Sequence, residues 1–270
     1  MWLPMWVDWN MHYKDKHALG KIIFILGALF FLSMTSAYSN IPDSISFQLI
    51  RSTYVEGNKS ISISLRNKES LPYLIQGSME ALDTNTGITL LNSNTEEIPF
   101  IITPPLHKLE GKTRYYWRVI FAGDVSKMPK DRESVYIAKF RAIPTSEVPK
   151  EGDNVEHNSE LSVVRVMNFK VYYRPKQLEY YRIKEELDKL QFRVENNELI
   201  VTNNSPIYMT FEDISVNSIE IDRNETFKPL IPKGEQRFKL KNKSVPSGAK
   251  VTWRVLDEFS MPLEQRTTTL

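Results

Sequence analysis

Ile61-Ser62-Ile63-Ser64-Leu65-Arg66 alternates apolar and polar side chains one by one, which is the period of a half-buried strand and not of a helix. The same period precedes it, where Ile45, Phe47 and Leu49 alternate with Ser46 and Gln48, and the turn-forming Val55-Glu56-Gly57-Asn58 separates the two runs. Asn67-Lys68-Glu69-Ser70 ends the second run. Further apolar runs over residues 73–75, 100–102, 115–121, 135–140 and 161–173 are each bounded by Pro, Gly, Asn or charged turns. Short strands that recur with turn signals predict an immunoglobulin-like β-sandwich over roughly residues 40–175.

Pro175 closes this array, and residues 176–189 read as a linker with a polar, helical stretch. A second strand series opens where Leu190, Phe192 and Val194 alternate with Gln191 and Arg193, and continues through residues 199–201, 207–211, 219–221, 237–240 and 251–256. The expected fold is therefore all-β, with two sandwich domains spanning residues 38–176 and 177–270. The charged segment 145–160, with Glu147, Glu151, Asp153, Glu156 and Glu160, reads as a mobile loop ahead of the 161–173 strand.

Residues 1–37 read as an export signal. Lys14, Lys16 and Lys21 precede an apolar run over residues 22–32, and Thr35-Ser36-Ala37 supplies small residues for cleavage. That run is shorter than the ~20 residues of a spanning helix, so a removed signal is expected and no stable membrane anchor. The mature chain would begin near Tyr38, and Met11 is an alternative start. Without residues 1–37 the chain keeps 32 of its 35 basic and 31 of its 33 acidic side chains. Near-neutrality gives no long-range attraction for nucleic acid. The chain has no cysteine, which removes thiol catalysis, cysteine metal sites and disulfides together. After loss of the signal only His107 and His157 remain, neither beside a nucleophile or metal partner in sequence, and there is no glycine-rich phosphate loop. An enzyme, a metal site and a cofactor are thus not expected.

Met128-Pro129-Lys130-Asp131-Arg132-Glu133-Ser134 and Phe169-Lys170-Val171-Tyr172-Tyr173-Arg174-Pro175 resemble the signature of the periplasmic chaperones that assemble fimbriae, the PapD-like family of the chaperone-usher pathway. Leu71-Pro72-Tyr73-Leu74-Ile75-Gln76, Pro99-Phe100-Ile101-Ile102-Thr103-Pro104-Pro105-Leu106 and Asn203-Asn204-Ser205-Pro206-Ile207-Tyr208-Met209-Thr210 are similar to other segments of the family, so the resemblance covers nearly all of the mature chain. It implies two immunoglobulin-like domains set at an angle, as in an L or boomerang. It also implies a periplasmic function, which is to bind, fold and cap pilus subunits and deliver them to the outer-membrane usher.

By the same resemblance, Arg51 and Lys170 are the two cleft cations that hold the C-terminal carboxylate of a subunit. Leu161, Val163, Arg165 and Met167 form the face of the strand donated to the subunit's groove. Arg165 departs from the apolar residue the family has there. Either its stem lies along apolar surface at the groove mouth, or a bulge shifts the register to Val164 and Val166. The opposite face, Val164, Val166 and Phe169, would serve the chain's own core. Glu133 and Arg174 match the family's interdomain charge network, with Glu258 in place of its aspartate and Ser260 in place of a glycine. The absence of cysteine favours the short-loop branch. Self-association through the exposed edge strand is a further expectation. An exported adhesin or binding module, which needs no cleft cations, is the rival reading.

Overall fold

A computed structural model describes residues 44–48, 50–89, 97–145, 163–241 and 245–270. Residues 1–37, expected to be an export signal, Leu161 and all of the charged segment except Thr145 lie outside the described residues.

The first half of the described chain holds β1 (Ile45–Phe47), β2 (Ser52–Val55), β3 (Ile61–Asn67), β4 (Tyr73–Ala81), β5 (Phe100–Thr103), β6 (Leu106–Leu109), β7 (Arg114–Phe121), β8 (Ser134–Pro144) and β9 (Arg165–Arg174). They form two facing sheets, in the orders β1-β3-β7-β5 and β2-β9-β8-β4-β6. Alternation becomes burial as expected: Ile63 and Leu65 of β3 point inward while Ser62 and Arg66 are exposed. The core between the sheets is built on Leu65, Ile75, Trp117, Val119, Phe140 and Tyr173. Each buried side chain of this size contributes about 1.5–3 kcal/mol of transfer free energy.

Residues 176–189 do fold as short helical turns, with α1 at Ile183–Glu186 between 3-10 turns at Lys176–Leu178 and Leu187–Lys189. Ile183 and Leu187 from this stretch are buried in the second core. The second sandwich pairs the sheet β10 (Leu190–Glu195), β11 (Glu198–Asn203), β14 (Gly234–Lys239) with the sheet β13 (Ile219–Glu220), β12 (Phe211–Val216), β15 (Lys250–Val255), β16 (Arg266–Thr269). Between β12 and β14 lies α2 (Arg223–Thr226). Asn196 and Asn197, both at positive φ, make the two-residue turn from β10 to β11, a conformation asparagine tolerates better than other non-glycine residues.

The 207–211 run is strand only from Phe211 onward, with Met209 joined to Leu230 by an isolated bridge. β6 and β16, which are short, carried too little apolar alternation to be foreseen. Among the described residues no helix is long and apolar enough to cross a membrane.

The two sandwiches meet through a separate apolar cluster. Leu82, Val135, Ile137 and Tyr172 from the first pack with Tyr208 and Ile231 from the second. The Tyr172 and Tyr208 rings lie 5.8 Å apart. Polar ties flank this cluster: the Glu133 N–H donates to the Pro206 carbonyl at 2.9 Å, and Lys233 pairs with Asp131 at 2.8 Å.

Candidate functional site

β2 runs parallel to β9 from Ser52 opposite Val171 to Val55 opposite Arg174. Arg51 and Lys170 each stand one residue before the first paired step of that ladder, so the pairing sets them side by side. β9 has two faces. Met167, Phe169, Val171 and Tyr173 turn toward the core of the first sandwich, while Lys170 and Tyr172 turn toward the second domain.

Arg51 is held on two sides. Its guanidinium carbon lies 3.6 Å from the centre of the Tyr172 ring, and its Nη2 donates to Glu133 Oε2 at 2.5 Å. Its side chain is only 6% exposed. Lys170 is half-buried and donates from Nζ to the Phe227 carbonyl at 2.8 Å. Burial, and then the positive charge of Arg51, lower the Lys170 pKa to about 8. Both cations line a cavity of about 230 Å³ whose other walls include Ile50, Phe169, Leu256 and Asp257. Two cations against largely apolar walls suit an anionic group carried on an apolar chain.

Glu133 is the centre of a buried charge cluster, with its side chain fully buried. Oε1 accepts from Arg174 Nε at 2.8 Å, and Oε2 accepts both from Arg51 and from the Tyr208 N–H, the latter at 2.8 Å. Arg174 continues into the second domain, donating from Nη1 to the Tyr181 carbonyl at 3.0 Å. Glu258, expected in this cluster, stands apart. Its Oε1 accepts from the Ile183 N–H at 2.8 Å, and its carbonyl accepts from the Arg51 N–H at 3.1 Å. Arg51, expected to wait for an incoming carboxylate, is thus the third charged member of this cluster. The turn around Ser260 forms without glycine. Ser260 sits at φ +58°, and Asp257 Oδ1 accepts from the N–H groups of Phe259 and Met261, both at 2.8 Å.

β9 pairs with β8 in unbroken register, from Ser134 opposite Tyr173 to Ala142 opposite Arg165. There is no bulge, so the alternative register through Val164 and Val166 is not adopted. The expectation that those two valines serve the core is also corrected: Val164 is 47% and Val166 52% exposed. A straight register carries the alternation back from the buried Val171 and Tyr173, which puts Met167 and Phe169 on the core face instead. Arg165 lies half-buried opposite Ala142, Met167 half-buried opposite Phe140, and Val163 is 62% exposed. β2 covers the outer edge of β9 only over residues 171–174. Along residues 165–170 no second strand pairs with that edge among the described residues.

Several contributors escaped sequence reasoning: Tyr172 beneath Arg51, the Tyr208 N–H on Glu133, and the Phe227 carbonyl on Lys170. Tyr172 alone had a readable signal, because two residues along a strand share a face.

Residues 44–179 match the family described as pili and flagellar-assembly chaperone, PapD N-terminal domain, and residues 185–260 match the pili assembly chaperone PapD, C-terminal domain. The chain is 28% identical to the probable fimbrial chaperone protein ElfD of Escherichia coli K12, over 87% of this chain and 90% of that protein. It is 27% identical to the chaperone protein FimC of Escherichia coli O6:H1, over 88% and 90%. In fold it resembles a structure of the Salmonella enterica SafA pilin in complex with the SafB chaperone (TM-score 0.68, 22% identity, 84% of this chain and 96% of that one). It also resembles the periplasmic chaperone SfaE (TM-score 0.61, 23% identity, 83% and 98%).

Proposed function

For a chain that belongs to the PapD family of pili-assembly chaperones, we propose that the cleft between residues 38–176 and 177–270 receives the C-terminal carboxylate of a pilus subunit on Arg51 and Lys170. The observation that carries this reading is the place of those two cations, at the point where β2 stops covering the edge of β9. A client strand anchored there by its carboxyl end must run along residues 165–170 toward Lys170. It is then parallel to β9 and in line with β2.

Such a strand would pair with the uncovered backbone of β9, while Val163, Arg165 and Met167 extend the core face into the client's groove. The long stem of Arg165 suits a groove mouth better than its centre. Glu133 and Arg174, with Glu258 bracing the second domain at Ile183, keep the two domains oriented. The client leaves when the outer-membrane usher exchanges the donated strand for one from the next subunit. Nothing in this cycle requires bond-making chemistry, so the chain acts as a chaperone and not as an enzyme. The reading of residues 1–37 as an export signal supports action in the periplasm.

The test is capture from the periplasm of the host grown under pilus-forming conditions, with wild type and Lys170→Ala side by side. Pilus subunits identified by mass spectrometry should fall about tenfold or more in the variant, the order of a lost charge-assisted bond. Equal recovery by both would remove Lys170 from the site, and subunit-free recovery by the wild type would favour a binding module of another kind.

The low pKa of Lys170 gives this anchor a pH dependence. In the empty cleft the ammonium is half lost near pH 8. A bound carboxylate favours the charged form, so binding takes up a proton above that pH. Client affinity should therefore be flat below about pH 7 and decline above pH 8, by at most about tenfold per unit. Titration of binding between pH 6 and pH 10 checks this, and the decline should vanish in Lys170→Ala.

A further inference from the structure

We infer that Glu133 is a positioning residue for the carboxylate anchor, holding Arg51 in place for the client and tying that anchor to the second domain. This rests on the reading of the cleft given above.

Two like charges do not settle side by side unaided. Arg51 and Lys170 line one cavity, and their repulsion would drive an unrestrained arginine toward solvent. Glu133 opposes this from below. Its fully buried carboxylate takes Arg51 Nη2 at 2.5 Å, while the Tyr172 ring fixes the plane of the guanidinium. Glu133 takes one of the five donors that a guanidinium carries, and Arg51 still lines the cavity; its Nε is buried and has no hydrogen-bond partner among the described residues. A preorganised fork of this kind loses less freedom on binding than a mobile side chain.

The same carboxylate also grips the second domain. Oε2 accepts from the Tyr208 N–H, and Oε1 holds Arg174, which reaches the Tyr181 carbonyl. A displacement of the second domain would therefore move Glu133, and Arg51 with it. Orientation of the domains and readiness of the anchor are one state.

The test uses the purified protein and a short synthetic peptide of alternating valine and serine, made once with a free C-terminal carboxylate and once as the C-terminal amide. Wild type should prefer the acid about tenfold or more. Glu133→Gln should lose most of that preference, and adding Glu133→Gln to Arg51→Ala should not alter whatever preference is left. Arg51→Lys, which keeps the charge and spares the buried carboxylate, should also lose the preference, since one ammonium cannot reproduce the fork. A Glu133→Gln protein that keeps the acid preference, or that weakens acid and amide alike, overturns the inference and leaves the cleft reading standing. So does an Arg51→Lys protein with full preference. A wild type that does not favour the acid overturns the cleft reading, and the inference with it.

Discussion

Replacing Trp117 by alanine is expected to cost the first domain about 3–5 kcal/mol, the range for truncating a large aromatic in a packed core. Trp117 is fully buried on β7 and lies opposite Ile63 of β3. Its ring meets those of Tyr115, Phe140 and His107 at 4.8, 5.4 and 5.8 Å. The contacts come from both sheets, since Phe140 belongs to β8, so no single neighbour can move in to fill the space. Against a total stability of about 5–15 kcal/mol for a domain, the loss should lower the melting midpoint on the order of 10 °C. Trp117→Phe separates packing from polarity. The indole Nε1 is buried with no hydrogen-bond partner among the described residues, so phenylalanine gives up volume but no bond. Its cost should be well under half that of alanine. Thermal unfolding followed by circular dichroism checks both. A midpoint for Trp117→Ala within a degree or two of wild type would mean that the core is not organised around this ring.

Most strands of both sandwiches were legible because their alternation is physical. A residue such as Leu65 or Phe238 reads as inward because its neighbours along the strand are polar. What the chain hides are the ties made across long separations. Arg51 and Glu133 are 82 residues apart, and no local pattern says that they bond. Glu258 was expected in the charge cluster from the resemblance of its segment to the family's, whereas its partner is a backbone N–H that α1 presents only once folded.

A repeated device was equally invisible. Asn67 ends β3 and Asn203 ends β11, each fully buried. In each, Nδ2 donates to the carbonyl four residues on, Leu71 and Ile207, while Oδ1 accepts from the N–H two residues on, Glu69 and Ser205. The surrounding residues differ, so an internal search finds no repeat, yet both sandwiches close a strand in the same way. Buried asparagine is stable only because these bonds are made.

Val163→Asp is expected to leave the free protein unchanged and to cut client capture about a hundredfold or more. Val163 is 62% exposed, so its replacement removes no packing and should shift stability by no more than about 0.5 kcal/mol. In the proposed complex the same side chain enters an apolar groove, where an unpaired carboxylate costs several kcal/mol, each 1.4 kcal/mol being about a factor of ten. The neighbouring position is the control. Val164 is 47% exposed and, by the alternation of β9, belongs to the other face. Val164→Asp should therefore reduce capture by no more than about threefold, an ordinary surface effect. The pair reads the face directly: subunit capture with each variant, set beside its melting midpoint, distinguishes groove entry from misfolding. Equal losses from the two valines would mean that the edge binds without a preferred face. No loss from either would place the donated face elsewhere on the chain.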